Sequence, residues 1–167
     1  MDYKNIIDKL GLEAHPEGGY FKEVYRSKGE IDSANLSEGM EGKRNYATSI
    51  YFLLTSDTFS AFHRIKQDET WHFYIGSPVR LFTISPNGKL QQYIIGSDIW
   101  NGALLQFTVP AGYWFAAELV EKESFALVGC TVAPGFDFRD FELAECEKLA
   151  SEFPQHKELV KRLTRGI

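Results

Sequence analysis

At 167 residues, with 44% hydrophobic and 14% aromatic side chains, the chain is long enough to bury the core of one domain, which excludes general disorder. Its formal net charge of −5, with basic residues clustered only at 157–165 on what reads as a solvated helix face, excludes a nonspecific nucleic-acid or anionic-membrane surface. Cys130 and Cys146 form no C-x-x-C pair, and no long apolar run is present, so a soluble, cytoplasmic chain with reduced thiols is expected.

Asp2 is placed to cap a short helix carrying Tyr3, Ile6, Ile7 and Leu10 on one face, with Gly11 as its stop. A Gly-rich turn, His15-Pro16-Glu17-Gly18-Gly19, leads into an alternating strand over 20–26. The polar segment 27–46 is long for a compact domain and reads as a mobile lid or as plain disorder. Short strand-like runs follow at 49–54, 59–65, 70–75, 79–84, 91–95, 104–109, 113–119 and 124–132, separated by turn residues. Such spacing without intervening helices predicts an all-β, antiparallel sandwich or small barrel, with a jelly roll as the expected form. Apolar residues at helical spacing predict two C-terminal helices over 141–153 and 155–164, with Pro154 at their junction. The expected organisation is one domain over 1–167, with a barrel core at 47–133 and a helical tail at 141–165.

Chemistry concentrates in 57–76, DTFSAFHRIKQDETWHFYIG. Alternate strand residues share a face, so His63 and Ile65 point with Phe59 and Ala61, and Glu69 points with Trp71, Phe73 and Ile75. A hairpin between the two runs would set His63 against Glu69 in an aromatic cavity, a pair suited to proton transfer. The same pair would also serve as a satisfied polar contact in a core. His72 falls on the opposite face unless a bulge intervenes, which assigns it to a sheet or subunit contact. His15 suits a backbone hydrogen bond as well as catalysis, and His156 is expected to be exposed. Cys130 reads as a buried small side chain.

The spacing His63-x-Ile65-x3-Glu69-x6-Gly76 resembles the first motif of the cupin superfamily, G-x5-H-x-H-x3/4-E-x6-G, with isoleucine at the second histidine. Val109-Pro110-Ala111-Gly112 resembles the turn of the second cupin motif, with Phe115 where its histidine belongs. Glu17, Gly19, Phe21 and Glu23 match the opening of the dTDP-sugar 3,5-epimerases, cupins that work without a metal; Gly18 replaces the arginine that holds their nucleotide sugar. Together HPEGGY, TSIYFLL, FHRIKQDETWHFYIG, VPAGYWFAAEL and VGCTVAPGFDFRDFELAE resemble the type 5 cupin family of unknown function. That resemblance implies a double-stranded β-helix that usually pairs as a homodimer.

Three functions follow as expectations. The first is a metal-independent epimerase or isomerase of a small sugar-like molecule, with His63 as base and Glu69 or Asp137 orienting it. Tyr20, Tyr51 or Tyr113 would return a proton, Trp71, Phe73 and Phe115 would stack on the ligand, and Glu23 would line the site. The second is a metal enzyme for oxidation or carbon–carbon cleavage, holding a divalent ion through His63, Glu69 and His72. Two apolar ligand positions disfavour it, so no cofactor is expected. The third is a non-catalytic binding module for a small molecule.

Overall fold

The computed structural model describes residues 3–166, so the cap assigned to Asp2 lies outside the described residues. Helix α1 (Tyr3–Leu10) precedes strands β1 (Glu13–Ala14) and β2 (Tyr20–Arg26), and a small ribbon is formed by β3 (Glu30–Ile31) and β4 (Arg44–Asn45). Then come β5 (Thr48–Thr55), β6 (Ser60–Arg64), β7 (Asp68–Gly76), β8 (Val79–Ile84), β9 (Leu90–Ile95), β10 (Gln106–Val109), β11 (Trp114–Leu119) and β12 (Phe125–Ala133). Strand β13 (Glu142–Leu143) leads to helices α2 (Cys146–Glu152) and α3 (Lys157–Arg162).

Two antiparallel sheets face each other as a jelly roll, one ordered β1-β2-β5-β12-β7-β10 and the other β13-β6-β11-β8-β9. Their inner faces meet around Phe52, Trp71, Leu81, Val109, Phe115 and Val128, and the stacked rings of Tyr93 and Phe107 bridge β9 and β10 (centroids 4.0 Å apart). Helix α1 covers the outer face of the six-stranded sheet on Leu53 and Leu127. Helices α2 and α3 cover the outer face of the other sheet, over Phe62, Trp114 and Ala116. Strands β6 and β11 are therefore buried on both faces, which explains their near-continuous apolar runs.

Several expectations are corrected. Segment 27–46 is not structureless: the β3–β4 ribbon and a 3-10 turn at Ser33–Asn35 organise it, and buried Arg44 ties it to Asp140 through two hydrogen bonds of 2.7 and 2.8 Å. Helix α2 begins at Cys146, not 141, because Glu142 and Leu143 pair with Arg64 and His63 at the edge of the second sheet. Arg165 is not on a solvated helix face; it folds back to donate to the carbonyls of Glu17 and Phe59. His156 is half-buried against the Gly88 carbonyl.

Candidate active site

Strands β6 and β7 do not form the expected hairpin. β6 pairs with β11 and β13, whereas β7 pairs with β12 and β10 in the facing sheet. His63 and Glu69 thus approach from opposite sheets into a cavity of about 350 Å3. An irregularity in β6 lets both Ser60 and His63 face inward, so Phe59 turns out toward the helices. A second one in β7, between the partners of Leu127 and Val128, sends Ile75 to the outer face while Trp71 and Phe73 stay inside.

The carboxylate that meets His63 is Glu17, from the turn between β1 and β2. Its Oε2 lies 2.9 Å from His63 Nε2, and its Oε1 accepts from Ser60 Oγ at 2.8 Å. The turn reaches this depth because Gly18 and Gly19 have φ of 110° and 77°. A Cβ on Gly18 would lie 2.1 Å from the Phe59 carbonyl oxygen and from Arg165 Nη2, which explains sterically why the epimerase arginine is absent.

The electrostatics follow from burial and pairing. His63 is 2% and Glu17 6% exposed. Burial alone would lower His63, but the charge and hydrogen bond of Glu17, with smaller help from Glu69 and the Ala61 carbonyl, hold its pKa above the ordinary value. Burial would raise Glu17, and His63 overrides it to hold the carboxyl low. The pair is therefore an imidazolium and a carboxylate. The second ring nitrogen, Nδ1, donates to the Ala61 carbonyl at 2.7 Å, so both nitrogens of His63 are engaged by protein and neither is free to take a proton from a ligand.

Glu69 behaves differently. Burial, then repulsion from Glu17, raises it to about 7 against the charge of His63 and hydrogen bonds from Trp71 and Cys130. The Trp71 indole donates to Oε1 at 2.8 Å. His15 joins the same cavity: its Nδ1 accepts from the Glu17 amide at 3.2 Å, and burial lowers its pKa, so the ring is neutral with its proton on Nε2. Buried Cys130 is pushed well above the ordinary thiol range by burial and Glu69.

The other expected site residues divide by face. Glu23 and Asp137 line the cavity, each bound to an arginine: Glu23 to Arg26 and Asp137 to Arg139, which holds Asp137 low. Tyr20 and Tyr51 sit on the outer face of the six-stranded sheet with α1, because Tyr20 pairs with Leu53 and the inward positions of β5 are Ile50, Phe52 and Leu54. Tyr113 and Phe73 pack into the interior core, outside the cavity lining. Trp71 and Phe115 stand behind the polar groups, with Phe115 against the His63 ring at 4.0 Å. His72 is on the outer face, bonded to Thr131. The orienting role assigned to Asp137 belongs geometrically to Glu17. The aromatic wall that the sequence reading missed consists of Phe21, Phe52, Phe136, Phe138 and Phe141. Alternating aromatics in PGFDFRDF were the sequence signal for Phe136, Phe138 and Phe141.

These residues do not fit a metal ion. Ile65 and Phe115 are apolar at two expected positions, His63 has no free nitrogen, and His72 is remote from the cavity lining. Among the described residues no group of three or more His, Cys, Asp or Glu is placed to hold one. No helix among them is long and apolar enough to cross a membrane.

Residues 4–144 match the Cupin superfamily (DUF985). The uncharacterized protein YML079W of Saccharomyces cerevisiae is 33% identical over 146 residues, covering 82% of this chain and 72% of its own. Protein SO0799 of Shewanella oneidensis is similar in structure, with a TM-score of 0.90 and 39% identity over 100% of this chain and 99% of that one. A hypothetical protein from Leishmania major gives 0.89 and 35% over 98% and 99%. The chain belongs to the Cupin superfamily (DUF985) family.

Proposed function

We propose that this cupin binds a small sugar-like molecule in its cavity and isomerises it without a metal, by moving a proton between adjacent carbons. The observation that carries the reading is the Glu69 carboxyl, buried on the cavity wall with a pKa raised to about 7. A base works best when its pKa lies near the working pH, and Glu69 meets that condition. In the reaction, the Glu69 carboxylate takes the proton from a carbon next to a carbonyl, and the released electron pair moves onto the carbonyl oxygen. The neutral His15 ring donates its Nε2 proton to that oxygen, Glu69 returns the carbon proton to the neighbouring carbon, and the hydroxyl on the first carbon gives its proton back to His15 Nε2 as it becomes the new carbonyl. The His63 imidazolium, balanced by the Glu17 carboxylate, stands beside Glu69 and partly offsets its charge. No tyrosine is among the cavity-lining residues to act from the opposite side of a ligand, which favours a one-base isomerisation over a two-sided epimerisation. Cytoplasmic residence and pairing of chains belong to the same proposal, supported by two free cysteines and open sheet edges.

The test is solvent deuterium uptake, followed by NMR, into a panel of three- to six-carbon aldoses, ketoses and their 2-amino counterparts in D2O. Wild-type protein should label the carbon next to the carbonyl, and Glu69→Gln should slow this by roughly 10²- to 10⁴-fold. A second reading, binding without catalysis, is favoured by the complete engagement of His63 and Arg26 by protein partners. Absence of labelling across the panel would establish that reading over the first.

A further inference from the structure

The charges around the cavity do not cancel evenly. His63 is spent on Glu17 and the Ala61 carbonyl, and Arg26 is spent on Glu23, Asn45 and the Phe136 carbonyl. Asp137 is matched by Arg139 at 2.8 Å. Every lining cation is thus occupied by protein. Glu69 alone among the lining carboxylates has no arginine, lysine or histidine in hydrogen-bond contact among the described residues; its donors are Trp71 and Cys130, both neutral. Around it, His63 from β6 and Glu17 from the β1–β2 turn sum to zero charge, and Cys130 from β12 stays a thiol. An ionised Glu69 leaves the interior one positive charge short. The remaining walls are largely phenylalanine, whose ring faces attract cations and offer anions nothing.

We infer that the cavity selects a cationic ligand, a small molecule bearing a protonated amine whose ammonium pairs with Glu69 between phenylalanine faces. The inference rests on the proposed reading of this cavity as the small-molecule site and narrows its substrate class from sugar-like to amine-bearing. An anionic ligand finds no free donor cation here and adds to the repulsion on Glu69. The ligand's charge also serves the chemistry: an ammonium beside Glu69 holds the carboxyl in its base form, and on a carbon next to a carbonyl it makes the C–H bond more acidic.

Three probes of one shape separate the charge classes: cyclohexylammonium, cyclohexanol and cyclohexanecarboxylate, titrated into the full chain and followed by NMR. At pH 8 cyclohexylammonium should bind at least about tenfold more tightly than cyclohexanol, the size of one close charge pair, with the carboxylate weakest. That preference should shrink at pH 5.5, where Glu69 is protonated, and vanish in Glu69→Gln. Equal binding of the alcohol, tighter binding of the carboxylate, binding of none of the three, or a preference that survives Glu69→Gln overturns the inference. The two tests fail separately. Deuterium uptake into neutral sugars without any amine preference removes the cationic ligand and keeps the isomerase, whereas an amine preference without deuterium uptake does the reverse.

Discussion

Glu69 sits in the interior as an acid because ionising it there is unfavourable, and that makes stability depend on pH. Its carboxyl moves from an ordinary 4.5 to about 7 on folding, so between those values the folded chain binds more protons than the unfolded one. The stabilising contribution is complete below pH 4.5 and is lost as pH rises through 7. The difference corresponds to about 3 kcal/mol. Glu69→Gln, which imitates the protonated form, should therefore stabilise the protein by up to about 3 kcal/mol at pH 8 and change little at pH 4.5, as read by urea unfolding at both. Stabilisation that is equal at the two pH values would show that Glu69 ionises normally. The Glu17–His63 pair has the opposite acid limb. Glu17 is held low, so its contribution is present above 4.5 and lost as pH falls through its folded pKa; His63 is held high, so its share is lost as pH rises through its own. Removing one member strands the other, so Glu17→Gln or His63→Asn alone should cost about 3–5 kcal/mol, and the double variant less than the sum. Urea unfolding of the three variants at pH 6 measures the coupling, and simple additivity would mean that the two groups are not a pair. Motif spacing brought His63 and Glu69 to one cavity, where both line the wall, but Glu17 as the partner of His63 was not legible. It lies 46 positions before His63 and arrives through a glycine turn whose depth no local pattern encodes.

Among the elements, the segment after β12 does most to define the cavity, since it brings Phe136, Asp137, Phe138 and Phe141 into its lining. Its attachments include Arg44 and Gln67 on Asp140, Arg26 on the Phe136 carbonyl, the Gly135 amide on the Asn45 carbonyl, and the Phe136 amide on Thr48 Oγ1. Arg44 also donates to the carbonyls of Glu41 and Lys43, so one guanidinium fastens both the β3–β4 ribbon and the aromatic segment. Arg44→Met leaves Asp140 buried with only Gln67 as donor, which should cost about 3–5 kcal/mol. Because the aromatic wall loosens with it, cyclohexylammonium should also bind more weakly at temperatures where the variant remains folded. Full binding alongside lost stability would separate the wall from its anchor. The strands were readable because turn residues punctuate them and side chains alternate within them. The order of 27–46 was not, because it rests on an ion pair spanning 96 positions, and the irregularities in β6 and β7 reversed facing where strict alternation was assumed.

At the scale of the whole molecule, helices cover both outer sheet faces, but the side where β9 and β10 meet carries exposed apolar side chains. There β9 ends one sheet and β10 ends the other, and the chain between them, 96–105, leaves Ile99, Trp100, Leu104 and Leu105 exposed, Trp100 to 90%. Unpaired strand edges beside apolar side chains are a liability that soluble proteins cover, and a second copy is the simplest cover. This predicts pairing through that side. Light scattering at micromolar concentration should give twice the mass of one chain, and Trp100→Asp should shift it to the single chain without changing the unfolding enthalpy expected of an intact core. The side opposite, around β1 and β2, carries the turn with Glu17, so pairing at β9 and β10 leaves the cavity and its amine preference untouched in the variant. A single-chain mass for the wild type at that concentration, or loss of probe binding together with loss of pairing, would place the interface elsewhere, and in the second case at the cavity itself.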